Sequence, residues 1–246
     1  MKKLKLPQMA GGLLLTGLML PLGTVQAAAD AESIIREKCL ACHTEENADT
    51  STFSRMSHQR KTPEGWLMTI ARMQVMHGLQ VSDEERRTLV KYFADKQGLA
   101  PEETAGSRYA MERRLNTMEN FESSDFTEMC SRCHSGARVA LQRRPASEWE
   151  NLVHFHMGQW PTLEYQALAR DRDWMDLAFK KMVPELANNL PLQSASWDKW
   201  QNMDKQLMTG SWSFSAQMPG KGDIRGVMTV TGGKGDQYKV KVDGEY

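Results

Sequence analysis

Two stretches of the chain share one apolar rhythm. Trp66, Ile70 and Met73 stand at i, i+4 and i+7, and Trp149, Val153 and His156 repeat that spacing, so each set falls on one face of a helix. The agreement extends backwards without gaps: Gln59 meets Gln142, Arg60 meets Arg143 and Lys61 meets Arg144. The pattern is that of an internal repeat. In "VSDEERRTLVKYFADKQG", Leu89, Val90 and Phe93 supply a further apolar face. Ser82 with Glu85 predicts a capping box at its start, and Gly98 a stop. "PTLEYQALARDRDWMDLAFKKM" repeats this plan after the second copy, with Thr162 as its cap. From about Gly210 the texture turns glycine-rich. "YKVKV" alternates and "TGGKGDQ" reads as a hairpin turn, which predicts three or four β-strands with open edges.

The N-terminus reads differently. Lys2, Lys3 and Lys5 precede an apolar run, Met9 to Leu22, that is short for a bilayer span and broken by Gly11, Gly12, Gly17 and Pro21. Ala27, Ala28 and Ala29 then give a small-residue cleavage site. This layout predicts a cleaved export signal and a periplasmic protein. The 31 basic and 31 acidic residues of the whole chain cancel. Cleavage removes three lysines and no acid, leaving 28 basic against 31 acidic residues, a net of −3. Nothing in that balance points to nucleic acid, and no second apolar stretch points to membrane insertion.

The four cysteines, Cys39, Cys42, Cys130 and Cys133, occur only in "CLACH" and "CSRCH". C-x-x-C-H is the attachment signature of c-type haem. Residues i and i+3 share a helical face, so two thiols can reach the two vinyl groups of one porphyrin. The next residue, His43 or His134, then offers an imidazole nitrogen to the iron. A thioredoxin-type pair would need a βαβ setting. Two pairs so far apart do not resemble a zinc ribbon or knuckle, and plain disulfides would not explain the two histidines. Two covalently attached haems are therefore expected.

The repeat nominates the ligands on the opposite side of each iron. Met73 is the candidate opposite His43, with His77 its rival, and His156 is the candidate opposite His134. His154 points about a hundred degrees away from that helical face, which makes it a surface or hydrogen-bonding residue and a weaker rival. Met157 reads as packing. A His/Met haem has a raised potential relative to a bis-His haem, so the haem on Cys130 and Cys133 is expected to receive electrons first. Arg60, Lys61, Arg143 and Arg144 read either as partners of haem propionates or as a solvated basic turn. The expected fold class is a mainly α dihaem cytochrome c-like domain of two haem units, followed by the start of an antiparallel β domain. The expected boundaries are 1–29 signal peptide, 30–100 first haem unit, 101–127 helical connector, 128–191 second haem unit, and 192–246 linker and incomplete β domain.

These residues resemble the α subunit of the quinohaemoprotein amine dehydrogenase family. The likeness is carried by both C-x-x-C-H units and by "QRKTPEGW", "LVKYFADKQGLAPEE", "LQRRPASEW", "HFHMGQWPTLEYQALARDRDW" and "GSWSFSAQMPGKGDIRG". It implies a dihaem subunit of a heterotrimer, beside a β-propeller subunit and a small subunit bearing a cysteine tryptophylquinone. It further implies primary-amine oxidation at that quinone and electron passage through the haems to azurin or a small cytochrome c. Family members continue through further β domains, so the sequence looks like an N-terminal part. No activated nucleophile, base-and-orienter pair or phosphate loop emerges from the chain's own residues. A free-standing dihaem carrier is the alternative reading, and a dihaem peroxidase a more distant one.

Overall fold

Each half of the chain sets a short helix with its cysteines ahead of a two-residue strand and a long helix. The computed structural model describes residues 30–108, 119, 121–161, 163, 172–204, 208–233 and 237–245. Helix α1 (Ala31–Lys38) is capped by Asp30, whose carboxylate accepts from the Ser33 N–H, and ends at Cys39. Strands β1 (Glu45–Asn47) and β2 (Thr52–Phe53) close a small antiparallel hairpin. Strand β3 (Arg60–Lys61) leads into α2 (Pro63–His77). Thr62 caps α2, Pro63 enters with its φ already set, and Gly78 stops it at a left-handed φ of 73°. Helix α3 (Asp83–Gln97) begins in the Ser82–Glu85 capping box. These helices bury Ile34, Ile35, Trp66, Ile70, Leu89 and Phe93 together. Trp66 and Phe93 stack at 4.5 Å, a pairing worth about 0.5–1.5 kcal/mol beyond its buried area.

After α4 (Pro101–Thr104) the second half runs through α5 (Ser124–Cys130), α6 (Ala137–Ala140), β4 (Gln142–Arg143) and α7 (Ala146–Gln159). Helix α8 (Trp174–Leu177) continues through a π-helical turn, Ala178–Met182, into α9 (Val183–Asn189). Pro184 explains the wide turn. It has no N–H to give, and its ring crowds the carbonyl one turn back. The helix opens there, and the Val183 N–H bonds to the Ala178 carbonyl. Phe126, Val139, Trp149, Met182, Val183 and Leu186 form this half's core. Helix α10 (Ala195–Gln201) returns to bury Trp197.

The halves meet strand to strand. β3 and β4 pair antiparallel, with Arg60 opposite Arg143 and Lys61 opposite Gln142, so the two arginines that match in the repeat face each other. Beyond α10, β5 (Gly210–Met218), β6 (Gly222–Gly232) and β7 (Tyr238–Glu245) form an antiparallel sheet in sequence order. No described helix is long and apolar enough to cross a membrane.

This architecture corrects the expected fold class. In place of a mainly α dihaem cytochrome c-like domain, the described residues are mixed, 47% helical and 19% strand with three small sheets, and show no clear all-α dihaem pattern. The cause lies in the connections. Helical periodicity reports only the segments that carry it, whereas the hairpin over 45–53 and the β3–β4 joint are set by backbone pairing between short polar stretches. The leader, Thr162, residues 109–118 of the connector and residues 234–236 of the hairpin turn lie outside the described residues.

Candidate functional site

The first motif continues α1 by one turn. The N–H groups of Cys42 and His43 bond to the Cys39 carbonyl at 3.1 and 3.0 Å. Both thiols are free; Cys39 is half-buried against the first core and Cys42 is exposed. His43 Nδ1 lies 3.1 Å from the Ser54 carbonyl oxygen. A carbonyl can only accept, so Nδ1 carries the proton and the Nε2 lone pair is left for a metal. Burial separates the two rivals for the opposite side. Met73 is half-buried on α2, on the face of Trp66 and Ile70, while His77 is exposed in the last turn.

The second motif shows the same device twice. His134 Nδ1 lies 2.9 Å from the Ser135 carbonyl and His156 Nδ1 lies 2.8 Å from the Leu152 carbonyl. Each ring therefore keeps a free Nε2. Their centroids are 6.4 Å apart and the planes differ by 37°. Two imidazoles bound to opposite sides of one metal, with nitrogens at about 2.0–2.1 Å, have centroids about 6 Å apart. Burial pushes the His156 ring below its ordinary range, and the Leu152 carbonyl only partly offsets this, which favours the neutral imidazole. His154 is exposed on the same helix, beside Phe179 at 5.1 Å. Met157 packs with Leu163 and Trp174.

A cavity of about 640 Å³ adjoins these groups, lined by Cys130, Cys133, His134, Trp149, His156 and Trp174 among others. Its size lies within the range of cofactor sites. Two cysteines, two lone-pair imidazoles at metal-bridging separation and an apolar wall fit a haem. Sequence reasoning missed Trp174, Met182 and Leu186 in this wall. Pro184 inside a helical pattern was the available signal, since π-helical turns cluster at functional sites. It also missed that α2 of the first half lines the second cavity with Met68, Thr69 and Arg72. Arg72 lies 5.0 Å from the Phe155 ring of α7, which ties the two helices together.

The basic quartet is neither a solvated turn nor a uniform propionate cradle. Arg60, Lys61, Arg143 and Arg144 are all buried. Arg60 donates twice to Glu103 and lies 4.7 Å from the Trp197 ring, and Arg143 Nε sits 3.2 Å from the same carboxylate. Those two belong to the joint between the halves. Lys61 and Arg144 face the cavity instead. Burial pushes the Arg144 guanidinium down to about 10 despite Glu148 at 3.6 Å.

Cys130 differs sharply from its partner. Burial, reinforced by Glu185, pushes its thiol up to about 12, whereas Cys133 is exposed. Thiolate is the reacting form, so in the chain without haem an alkylating agent is expected to label Cys133 at least ~10-fold faster than Cys130 at mildly alkaline pH. Mass spectrometry of timed digests reads the two rates, and equal rates would mean that Cys130 is not shielded.

The family described as quinohemoprotein amine dehydrogenase A, alpha subunit, haem binding, matches residues 29–197. The family described as quinohemoprotein amine dehydrogenase, alpha subunit domain II, matches residues 205–246. No curated protein matches the chain.

Proposed function

The chain belongs to the quinohemoprotein amine dehydrogenase alpha-subunit family, with its haem-binding domain over 29–197, and we propose that it is the electron-transfer subunit of such an oxidoreductase. The observation that carries this is the second motif, where the free Nε2 atoms of His134 and His156 stand on rings 6.4 Å apart beside Cys130 and Cys133. In this reading Cys130 and Cys133 would hold one haem covalently, and His134 and His156 would bind its iron through their Nε2 atoms. Cys39, Cys42 and His43 would hold a second, with Met73 or His77 as the further ligand. A bound haem supplies a metal centre that takes up and gives back single electrons. The chain's own residues fix ring tautomers through backbone carbonyls and exclude water with Trp149, Trp174 and Met182.

The resemblance supplies the rest of the proposal. Amine oxidation takes place at a cysteine tryptophylquinone on a small partner subunit, a β-propeller subunit completes the heterotrimer, and azurin or a small cytochrome c is the external acceptor. Residues 1–29 direct export to the periplasm, as their basic start, short apolar run and alanine-rich end suggest. Residues 30–100 and 128–191 are the two haem-bearing units, joined by 101–127, and 192–246 lead into the β domain.

The test is to purify the complex from its native host and add a simple primary amine anaerobically. The expected result is co-purification of two further chains and reduction of haem absorption by the amine. A complete complex whose haems stay oxidised with every amine tried would overturn the substrate class. A haem-bearing chain that purifies alone would favour a free-standing carrier.

A further inference from the structure

Three polar groups in the wall of the second cavity are incompletely matched: Trp149 Nε1 has no acceptor, Lys61 has no carboxylate among the described residues, and Arg144, which donates to Gln142 Oε1 at 3.2 and 2.8 Å, shares its carboxylate with a second arginine. Lys61 is 5% exposed. Its Nζ donates to Thr69 Oγ1 at 2.7 Å, and Thr69 in turn donates to the Gly65 carbonyl. No carboxylate among the described residues forms an ion pair with Lys61. A buried ammonium satisfied only by a hydroxyl is costly unless an anion joins it. Trp149 is 1% exposed, and its buried Nε1 has no hydrogen-bond partner among the described residues. Its repeat equivalent, Trp66, donates its Nε1 to the Gln97 carbonyl at 2.9 Å, so the orphan is peculiar to the second half. Arg144 lies 5.6 Å from the Trp149 ring, and its Glu148 contact is shared with Arg55 at 3.2 Å.

Lys61, Arg144 and Trp149 all line the one cavity. Burial, then Arg144 and Arg72, push the Lys61 ammonium well below its ordinary range, against Glu148. Two cations and an unused N–H donor around one space call for an oxygen anion. We propose that Lys61, Arg144 and the Trp149 indole N–H form a carboxylate subsite that takes a propionate of the haem attached at Cys130 and Cys133. This rests on the attachment read above. It also makes the second haem's electrostatics depend on a residue of the first half, because Lys61 stands on β3.

The test uses the full chain produced with its haems attached, as wild type and as Lys61→Met, Lys61→Arg and Trp149→Phe. Haem content per chain is measured first, then the propionate bending modes by resonance Raman and both midpoint potentials by spectroelectrochemistry. The expected result is two haems in every variant. Trp149→Phe should move one haem's propionate mode. Lys61→Met should lower one midpoint while the other stays fixed, because an uncompensated carboxylate favours ferric iron. Lys61→Arg should restore it. Unmoved modes and midpoints with both haems bound would overturn the subsite, and Trp149→Phe alone decides the matter if Lys61→Met fails to fold. A wild-type midpoint that moves equally on dialysis into anion-poor buffer would assign the groups to a free anion and overturn the propionate. A wild-type chain without haem at Cys130 and Cys133 would remove the attachment itself, and the subsite with it.

Discussion

Replacing Glu103 with alanine is expected to destabilise the chain by about 3–5 kcal/mol, the cost of removing one partner from a buried ion pair. Its side chain is 5% exposed. It accepts from Arg60 Nη1 and Nη2 at 2.8 Å each, from Ser194 Oγ at 2.8 Å and from the Ala100 N–H at 2.8 Å. Arg143 approaches at 3.2 Å, and Arg143 Nη2 also donates to the Glu103 carbonyl. Alanine would leave two buried guanidiniums facing each other across β3 and β4 with nothing between them. Urea titration reads the loss as a lower midpoint. The same carboxylate sets an acid limit. Burial would raise its pKa, but Arg60, the Ala100 N–H and Ser194 outweigh this and hold it at about 2, against an ordinary 4.5. A folded pKa below the unfolded one contributes stability above about pH 4.5 that is lost as pH falls towards 2. A depression of that size corresponds to roughly 3 kcal/mol. Stability of the wild type should fall through that window while Glu103→Ala falls less steeply. Parallel curves would mean that Glu103 is not the group responsible.

His156→Ala is expected to change one haem and leave the other untouched. In the proposed assignment it opens the coordination position opposite His134, so about half of the ferric low-spin absorption should become high-spin. Added imidazole should restore it. His154→Ala is the control: that ring is exposed against Phe179 rather than set beside His134, and its spectrum should match wild type. Met73→Ala should change the complementary half. A His156→Ala protein with an unaltered spectrum would sink the ligand assignment.

Local chemistry was readable along the chain wherever a few neighbouring residues decide it. The Ser82–Glu85 box, the end of α3 at Gly98, the burial of Trp66 and Trp149, the exposure of His154 and the packing role of Met157 all follow from spacing and side-chain type. The repeat also brought His156 to His134 across 22 residues of chain. What stayed hidden depends on partners distant in sequence. Arg60 and Arg143 read as propionate partners or as a solvated turn, and neither reading found the carboxylate they share, because Glu103 lies 43 residues beyond Arg60. The strand character of β3 and β4 was invisible because each has only two residues, too few to show alternation. The contribution of α2 to the second cavity was equally out of reach, since it follows from how the halves dock.

The pairing of Arg60 with Arg143 has one more consequence. A contact that sets a residue against its own equivalent is isologous, the self-complementary kind that two identical subunits make about a dyad. In a homodimer of single units, both sides of that dyad would necessarily be alike, and a carboxylate serving it would come in twos. Tethering the copies in one polypeptide makes their association independent of concentration and lifts that constraint. A single glutamate can then neutralise two guanidiniums from off the axis, leaving each copy free to diverge.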